Sequence, residues 1–309
     1  MKAVTSFKLT LALFSISFFW GTTYLAIRIA IETIPAIYIV GLRHFTAGLV
    51  LLIYLLISKK LEIPSWSRIR HNIISASLML VLGNGLTTFG EHTVPSGLTA
   101  LLTTLSPLLV LLINLSTGKE KSSLKIIVGV LLGLIGMILI FFDSLPQLIN
   151  PDYRVGILCI LAAIFCWSLG TIYSKTGSAK STNIFVDLCT QMLFAGGGLL
   201  IASLFTSYPF AVTTWKTTNI FAVFYLAFFG SIAGYISYLY ALSKLPSTSV
   251  SIFTYFNVVV ALTLGWLILD ERVTLRLVFA TAFILVGVVF ANYKKKTAQP
   301  AAQEAIIEE

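Results

Sequence analysis

Charge is what this chain has least of. Aspartate and glutamate number 12 and lysine and arginine 21 in 309 residues, 11% charged overall, where an ordinary soluble domain carries about 25%. A water-solvated globule would lack the polar residues needed to cover its own surface. Cysteine is sparse too: Cys159, Cys166 and Cys189 all lie inside apolar segments, with neither metal-site spacing nor a disulfide framework. The histidines His44, His71 and His92 are scattered, no Gly-x-Ser-x-Gly occurs, and no nucleotide-binding loop is present. The chain therefore lacks the residues of a metal enzyme, a serine hydrolase or an ATP-driven pump, and no cofactor is expected.

What the chain has is long hydrophobic runs, with 57% of its residues apolar. About 20 apolar residues span a bilayer core at 1.5 Å per residue. Ten segments reach that length, at about 9–30, 35–57, 73–92, 95–116, 123–142, 155–175, 182–206, 218–241, 246–269 and 273–293. The predicted fold class is an all-α integral membrane protein with ten transmembrane helices. The shortest connection, between the third and fourth, is marked by His92-Thr93-Val94-Pro95. No cleavable signal peptide is legible, because the first run ends in Trp20-Gly21-Thr22-Thr23-Tyr24 without a small-residue cleavage site.

The net charge of +9 is explained by where the cations fall rather than by a nucleic-acid partner. With the N-terminus inside, fifteen lysines and arginines lie on cytoplasmic segments and five on the opposite side, with Arg43 inside a span. That bias places both termini in the cytoplasm, and ten crossings satisfy the parity. The tail 294–309 has no periodic face to bury and reads as a disordered cytoplasmic extension.

The chain also repeats itself. Pro95-Ser96 falls on Pro246-Ser247 at an offset of 151 residues, and the same offset carries Gly83 to Gly234, Glu120-Lys121 to Glu271-Arg272, Leu124 to Leu275 and Gly136 to Gly287. Trp20 meets Trp167 at an offset of 147. Two units follow, 9–142 and 155–293, of five spans each. Because five is odd, the two copies must enter the membrane from opposite sides, giving an inverted repeat. Many secondary transporters are built this way, with the ligand site at the seam.

Several motifs carry a family resemblance. They are Trp20 through Tyr24 with Arg28, Arg43, Gly83-Asn84-Gly85, Glu91-His92, Val94 through Ala100, Pro107 and Glu120 in the first copy. Trp167, Phe229-Gly230-Ser231, Leu245-Pro246-Ser247 and Leu269-Asp270-Glu271 carry it in the second. On these residues the chain resembles the drug/metabolite transporter superfamily, of the ten-helix type with two EamA repeats, and in particular its YedA-like inner-membrane branch. The resemblance spans about residues 9 to 293 and implies a permease for amino acids, metabolites or toxic compounds. One departure is visible: Asn257-Val258 stands where such domains often carry a proline that would kink the ninth span.

A polar side chain in hydrocarbon is costly, about 2.5–3.5 kcal/mol for an ionisable one at the centre, so polar residues near mid-span mark candidate sites. Asn84, Thr87, Thr88 and Glu91 form one stripe on the third span; Ser231, Tyr235 and Tyr238 form its counterpart on the eighth. Ser106 and Asn257 fall near the middle of their spans, as do Trp20 and Trp167. The candidate substrate-binding set is Trp20, Tyr24, Asn84, Thr88, Ser106, Trp167, Tyr235, Tyr238 and Asn257. The alternative for the amides and hydroxyls is interhelical hydrogen-bond glue; for the tryptophans it is plain packing.

Arg43 either snorkels to the outer interface or pairs with an acid such as Glu32 or Glu91, and pairing is the expectation. Glu91 with His92 reads either as a proton-linked pair or as a helix end meeting water. Glu120 and Glu271 read as helix-terminal acids. The glycines Gly83, Gly85, Gly133, Gly136 and Gly196-Gly197-Gly198 read as packing or flexing points.

The function expected is a secondary carrier in the bacterial inner membrane that moves a small organic solute, an amino acid or related metabolite, outward by alternating access. Its partners would be that solute, the lipid bilayer and, in a coupled mechanism, a proton; facilitated exchange is the uncoupled alternative. A channel and a membrane-embedded enzyme are the rival classes.

Overall fold

The computed structural model describes residues 2–94, 96–118, 123–140, 142, 149–178, 183–206, 210–260 and 275–292. Among these residues the regular structure is entirely helical. A helix satisfies its backbone hydrogen bonds within one segment, which hydrocarbon requires. The first half holds α1 (Lys2–Ala30), α2 (Ala36–Ile57), α3 (Trp66–Gly90), α4 in two pieces (Ser96–Thr103 and Ser106–Thr117) and α5 (Leu124–Ile140). The second holds α6 (Arg154–Ser178), α7 (Ile184–Ser203), α8 (Thr217–Lys244), α9 (Ser247–Val260) and α10 (Leu275–Asn292).

Of the helices in the described residues, α1, α2, α3, α6, α7 and α8 are long and apolar enough to cross a membrane; shorter apolar helices lie in α4, α5, α9 and α10. The surface is apolar as well, with Phe14, Leu56, Ile138, Phe165, Phe221 and Val289 all exposed. Lipid, not water, suits such a surface. Pro95, the Glu120-Lys121 and Asp270-Glu271-Arg272 motifs and the tail 294–309 lie outside the described residues.

Helix ends follow local chemistry. Pro35 and Pro246 stand immediately before α2 and α9, where the missing N–H costs nothing. Gly118 closes α4 at φ 62°, a left-handed conformation that glycine enters without a Cβ penalty.

The sequence repeat has a backbone counterpart. α3 widens into a π-helix over Ser77–Gly83 and α8 does so over Leu226–Ala233, at equivalent places in the two halves. In each, an N–H reaches five residues back: Asn84 to Met79 O and Gly234 to Phe229 O. α4 breaks at Thr104-Leu105 and α9 at Phe253. The α9 break forms without a proline, through three-residue turns from Phe253 N–H to Val250 O (3.1 Å) and from Phe256 N–H to Phe253 O (3.0 Å).

Packing joins the halves in equivalent pairs. α2 lies along α7 and α5 along α10, while α1 packs on α8 as α6 packs on α3. Small residues let the backbones approach. A Cβ at Gly196 would fall 2.2 Å from the Phe45 nitrogen, and one at Gly136 2.7 Å from Ala280 O. Gly85 and Gly198 face open space and take no part in this packing. One core cluster runs from Leu51, Leu55 and Met79 of the first half to Met192, Tyr235 and Leu242 of the second.

Candidate functional site

A cavity of about 100 Å³ lies between the halves, several times the roughly 10–15 Å³ that one water needs. α1 contributes Trp20, Thr23, Tyr24 and Ile27, spaced to share one helix face. α3 adds Gly83, Asn84 and Thr87, and α6 adds Ala163, Ile164 and Trp167. Thr103, Thr104 and Ser106 come from the break in α4; Thr254, Asn257 and Val258 follow the break in α9. Arg43 and Tyr235 complete the wall from α2 and α8. Each break falls beside these lining residues, at Thr104-Leu105 in α4 and at Phe253 in α9.

The tryptophans are held by both shape and hydrogen bonding. Trp20 donates from Nε1 to Gly230 O at 2.9 Å. The π-helix turns the N–H of Gly234 to Phe229 O and Ser231 O, so that N–H does not compete for the Gly230 carbonyl. Trp20 also packs against Trp167 at 5.4 Å, Tyr235 at 5.4 Å and Tyr238 at 5.0 Å between ring centroids. Tyr24 of α1 and Thr103 of α4 share a hydrogen bond of 2.8 Å between their hydroxyls.

Behind the wall runs a buried polar chain that crosses from one half to the other. Arg43 Nε donates to Ser231 Oγ at 3.1 Å, and Ser231 Oγ lies 3.3 Å from His44 Nδ1. Asn84 Nδ2 donates to Tyr235 OH at 3.1 Å and lies 3.1 Å from His44 Nε2. With Nε2 accepting from the amide, the proton of His44 sits on Nδ1 and points to Ser231. The sequence reading set His44 aside as one of three scattered histidines. Its position inside an apolar span, beside Arg43, was the signal available.

Of the sequence-predicted residues, Trp20, Tyr24, Asn84, Ser106, Trp167, Tyr235 and Asn257 line this cavity, as does Arg43. Tyr238 is not among the lining residues; it packs beneath the tryptophans and hydrogen-bonds to Thr171 at 2.6 Å. Thr88 is fully buried away from the cavity, because it faces a neighbouring helix one position round from Thr87. Thr87 and Thr103 are lining residues that the list of candidates omitted.

The expected acid partner of Arg43 is not found. Among the described residues no carboxylate lies within ion-pair distance of it; Glu32 pairs instead with Lys216 at 3.0 Å on the exposed surface. Glu91 and His92 differ in burial: Glu91 is fully buried and His92 exposed. Arg28 Nη1 donates to the backbone oxygen of Glu91 at 3.0 Å, and neither carboxyl oxygen of Glu91 has a hydrogen-bond partner among the described residues. Successive residues at a helix end point in different directions, which separates the two.

The EamA-like transporter family model matches residues 8–142 and again 154–293. The inner membrane transporter YedA of Escherichia coli (strain K12), itself uncharacterized, is 32% identical over 82% of this chain and 80% of that protein. The uncharacterized transporter YoaV of Bacillus subtilis (strain 168) is 27% identical over 91% of this chain and 95% of its own length. A solved crystal structure superposes with a TM-score of 0.76 at 19% identity, covering 92% of this chain and 97% of that one, which shows a shared fold.

Proposed function

The chain belongs to the EamA-like transporter family, and on that premise we propose that it is a secondary carrier of a bacterial inner membrane that moves an amino acid or related metabolite outward. The observation that carries this reading is the cavity between the halves, walled by mid-helix residues of both. The location follows the naming of its relative YedA as an inner membrane transporter.

In this proposal all of α1 to α10 cross the membrane, both termini are cytoplasmic, and the units 9–142 and 155–293 are inverted repeats. The equivalent packing of α2 on α7 and of α5 on α10 supports that symmetry. Rocking of one five-helix unit against the other then exposes the cavity to each side in turn. In this orientation the lining residues run from Trp20 and Trp167 outward to Ile27 and Thr87. In the same orientation the packed rings of Trp20, Trp167 and Tyr238 lie toward the cytoplasmic end of the cavity.

The wall suits a small zwitterionic or neutral solute with an apolar portion. Aromatic faces take the apolar part, and the hydroxyls and amides of Thr87, Thr103, Ser106 and Asn257 replace hydration. A phosphate ester would need several converging cations, and Arg43 is the one in the wall.

A counterflow screen in proteoliposomes with the twenty amino acids, nucleosides and simple sugars tests the reading. Saturable exchange of an amino acid is expected. Ionic conductance without solute exchange would replace the carrier with a channel.

A further inference from the structure

Two polar groups of the cavity are left incomplete, and they are complementary. Arg43 is 3% exposed, lines the cavity, and spends one of its five N–H donors, the Nε bond to Ser231 Oγ. Among the described residues it has no counter-charge, and a buried unpaired guanidinium is an expensive arrangement. It persists in a binding site when the ligand brings the counter-charge. Asn257 is 4% exposed, lines the same cavity, and its Oδ1 has no hydrogen-bond partner among the described residues. The wall thus holds both unspent donors and an unspent acceptor.

The geometry points to Arg43 as the anchor for a carboxylate of the transported solute and to Asn257 Oδ1 as the acceptor for its amino group. This rests on the carrier reading above and names the subsite within it. The neighbours of Arg43 fit the role. Gly230 leaves its Nη2 room: a Cβ there would stand 3.1 Å away. Ser231, tied in turn to His44, fixes the Nε edge and leaves the Nη donors to make paired bonds to a planar carboxylate. The guanidinium needs no shift in charge state to do this. Asn257 is positioned by the turn of α9 at Phe253, and close packing of Gly21 on its backbone, with a Cβ falling 2.7 Å from Asn257 O, holds that turn against α1.

The test is equilibrium binding to purified, detergent-solubilised protein, read by quenching of intrinsic tryptophan fluorescence. Three ligand sets are used: the twenty amino acids, the corresponding amines without the carboxylate, and the corresponding carboxylates without the α-amino group. Binding of at least one amino acid is expected, with its decarboxylated amine weaker by roughly 10- to 100-fold, the scale of a lost charged hydrogen bond. Arg43→Gln should weaken the amino acid by the same factor and leave the amine unchanged, while Arg43→Lys restores part of the loss. Asn257→Leu should weaken the amino acid and not the amine-free carboxylate. Elution of each variant as a single monodisperse peak shows that it folds. If Arg43→Lys and Arg43→Gln both bind like wild type, or the amine binds as well as its amino acid, the anchor is wrong. If no amino acid binds but amine-free carboxylates do so through Arg43, the amino-acid reading fails and the carboxylate anchor stands. If neither binds while another solute exchanges in counterflow, the anchor falls and the carrier survives.

Discussion

Trp20 lies so close over Gly234 that a Cβ on that glycine would fall 2.2 Å from the indole nitrogen. The second half repeats the arrangement with partners exchanged: a Cβ at Gly83 would stand 3.1 Å from Trp167 Cε3. Gly83 and Gly234 are repeat equivalents, as are the two tryptophans. The aromatic centre of the molecule is therefore one contact made twice, each time between a tryptophan of one half and a glycine of the other.

The two distances predict an order of damage. Gly234→Ala forces the buried indole to move and should cost about 1–3 kcal/mol, the range for overpacking a filled site. Gly83→Ala should cost less, because its neighbour needs to shift only slightly. Gly85→Ala, with nothing near its Cβ, should be neutral. Thermal unfolding of the purified variants in detergent ranks them, and equal midpoints for Gly234→Ala and Gly85→Ala would contradict the contact.

The sequence made this centre partly legible. Two tryptophans near mid-span at nearly the repeat offset, with glycines at that offset, pointed to a symmetric middle. Periodicity also placed Asn84 and Tyr235, since a polar residue in an apolar span is conspicuous. What could not be read was direction around the helix at the next position. Thr87 faces the cavity and its neighbour Thr88 does not, and the π-helices, which rotate everything after them, leave no compositional mark. The acid expected for Arg43 was sought among carboxylates, whereas its partner is the uncharged Ser231, and no spacing rule pairs those two.

Asn84 ties the wall to the polar chain behind it. Asn84→Ala removes the donor that reaches both Tyr235 OH and His44 Nε2, leaving two buried groups short of a partner at about 1–3 kcal/mol. Solute exchange in proteoliposomes should be lost while membrane insertion is retained. Normal exchange by a correctly inserted variant would remove Asn84 from the site.

Among the described residues, the ion pairs Arg68–Asp187 and Lys216–Glu32 join the halves, and they should differ in worth. Asp187 Oδ1 accepts from Arg68 Nε at 2.6 Å and from Asn72 Nδ2 at 2.8 Å, and its side chain is 9% exposed. Asp187→Ala should therefore destabilise by about 2–3 kcal/mol, the scale of charged hydrogen bonds. Lys216 and Glu32 meet at 3.0 Å with side chains 63% and 54% exposed. Surface pairs of that kind contribute about 0–1 kcal/mol, so Lys216→Ala should shift the unfolding midpoint little. A reversal of that order would mean that burial does not govern these contacts.

The proposed inversion of the two units has a direct spatial consequence. Ile63, in the connection between α2 and α3, and Val212, before α8, occupy nearly equivalent places in the repeat and are both exposed. Were the units parallel, the two connections would lie on the same side of the membrane; inverted, they lie on opposite sides. With cytoplasmic termini, a cysteine at 63 should react with a membrane-impermeant maleimide only after the inner face is opened, and one at 212 should react in intact cells. Neither position touches the cavity, so both variants should retain exchange, which provides the control for native folding. The native Cys159 and Cys166 are partly exposed on α6 and Cys189 is buried on α7, so the labelling is carried out in a background with all three replaced by serine or alanine. Reaction of both positions from one side would end the inverted-repeat account, since each half would then cross the membrane an even number of times.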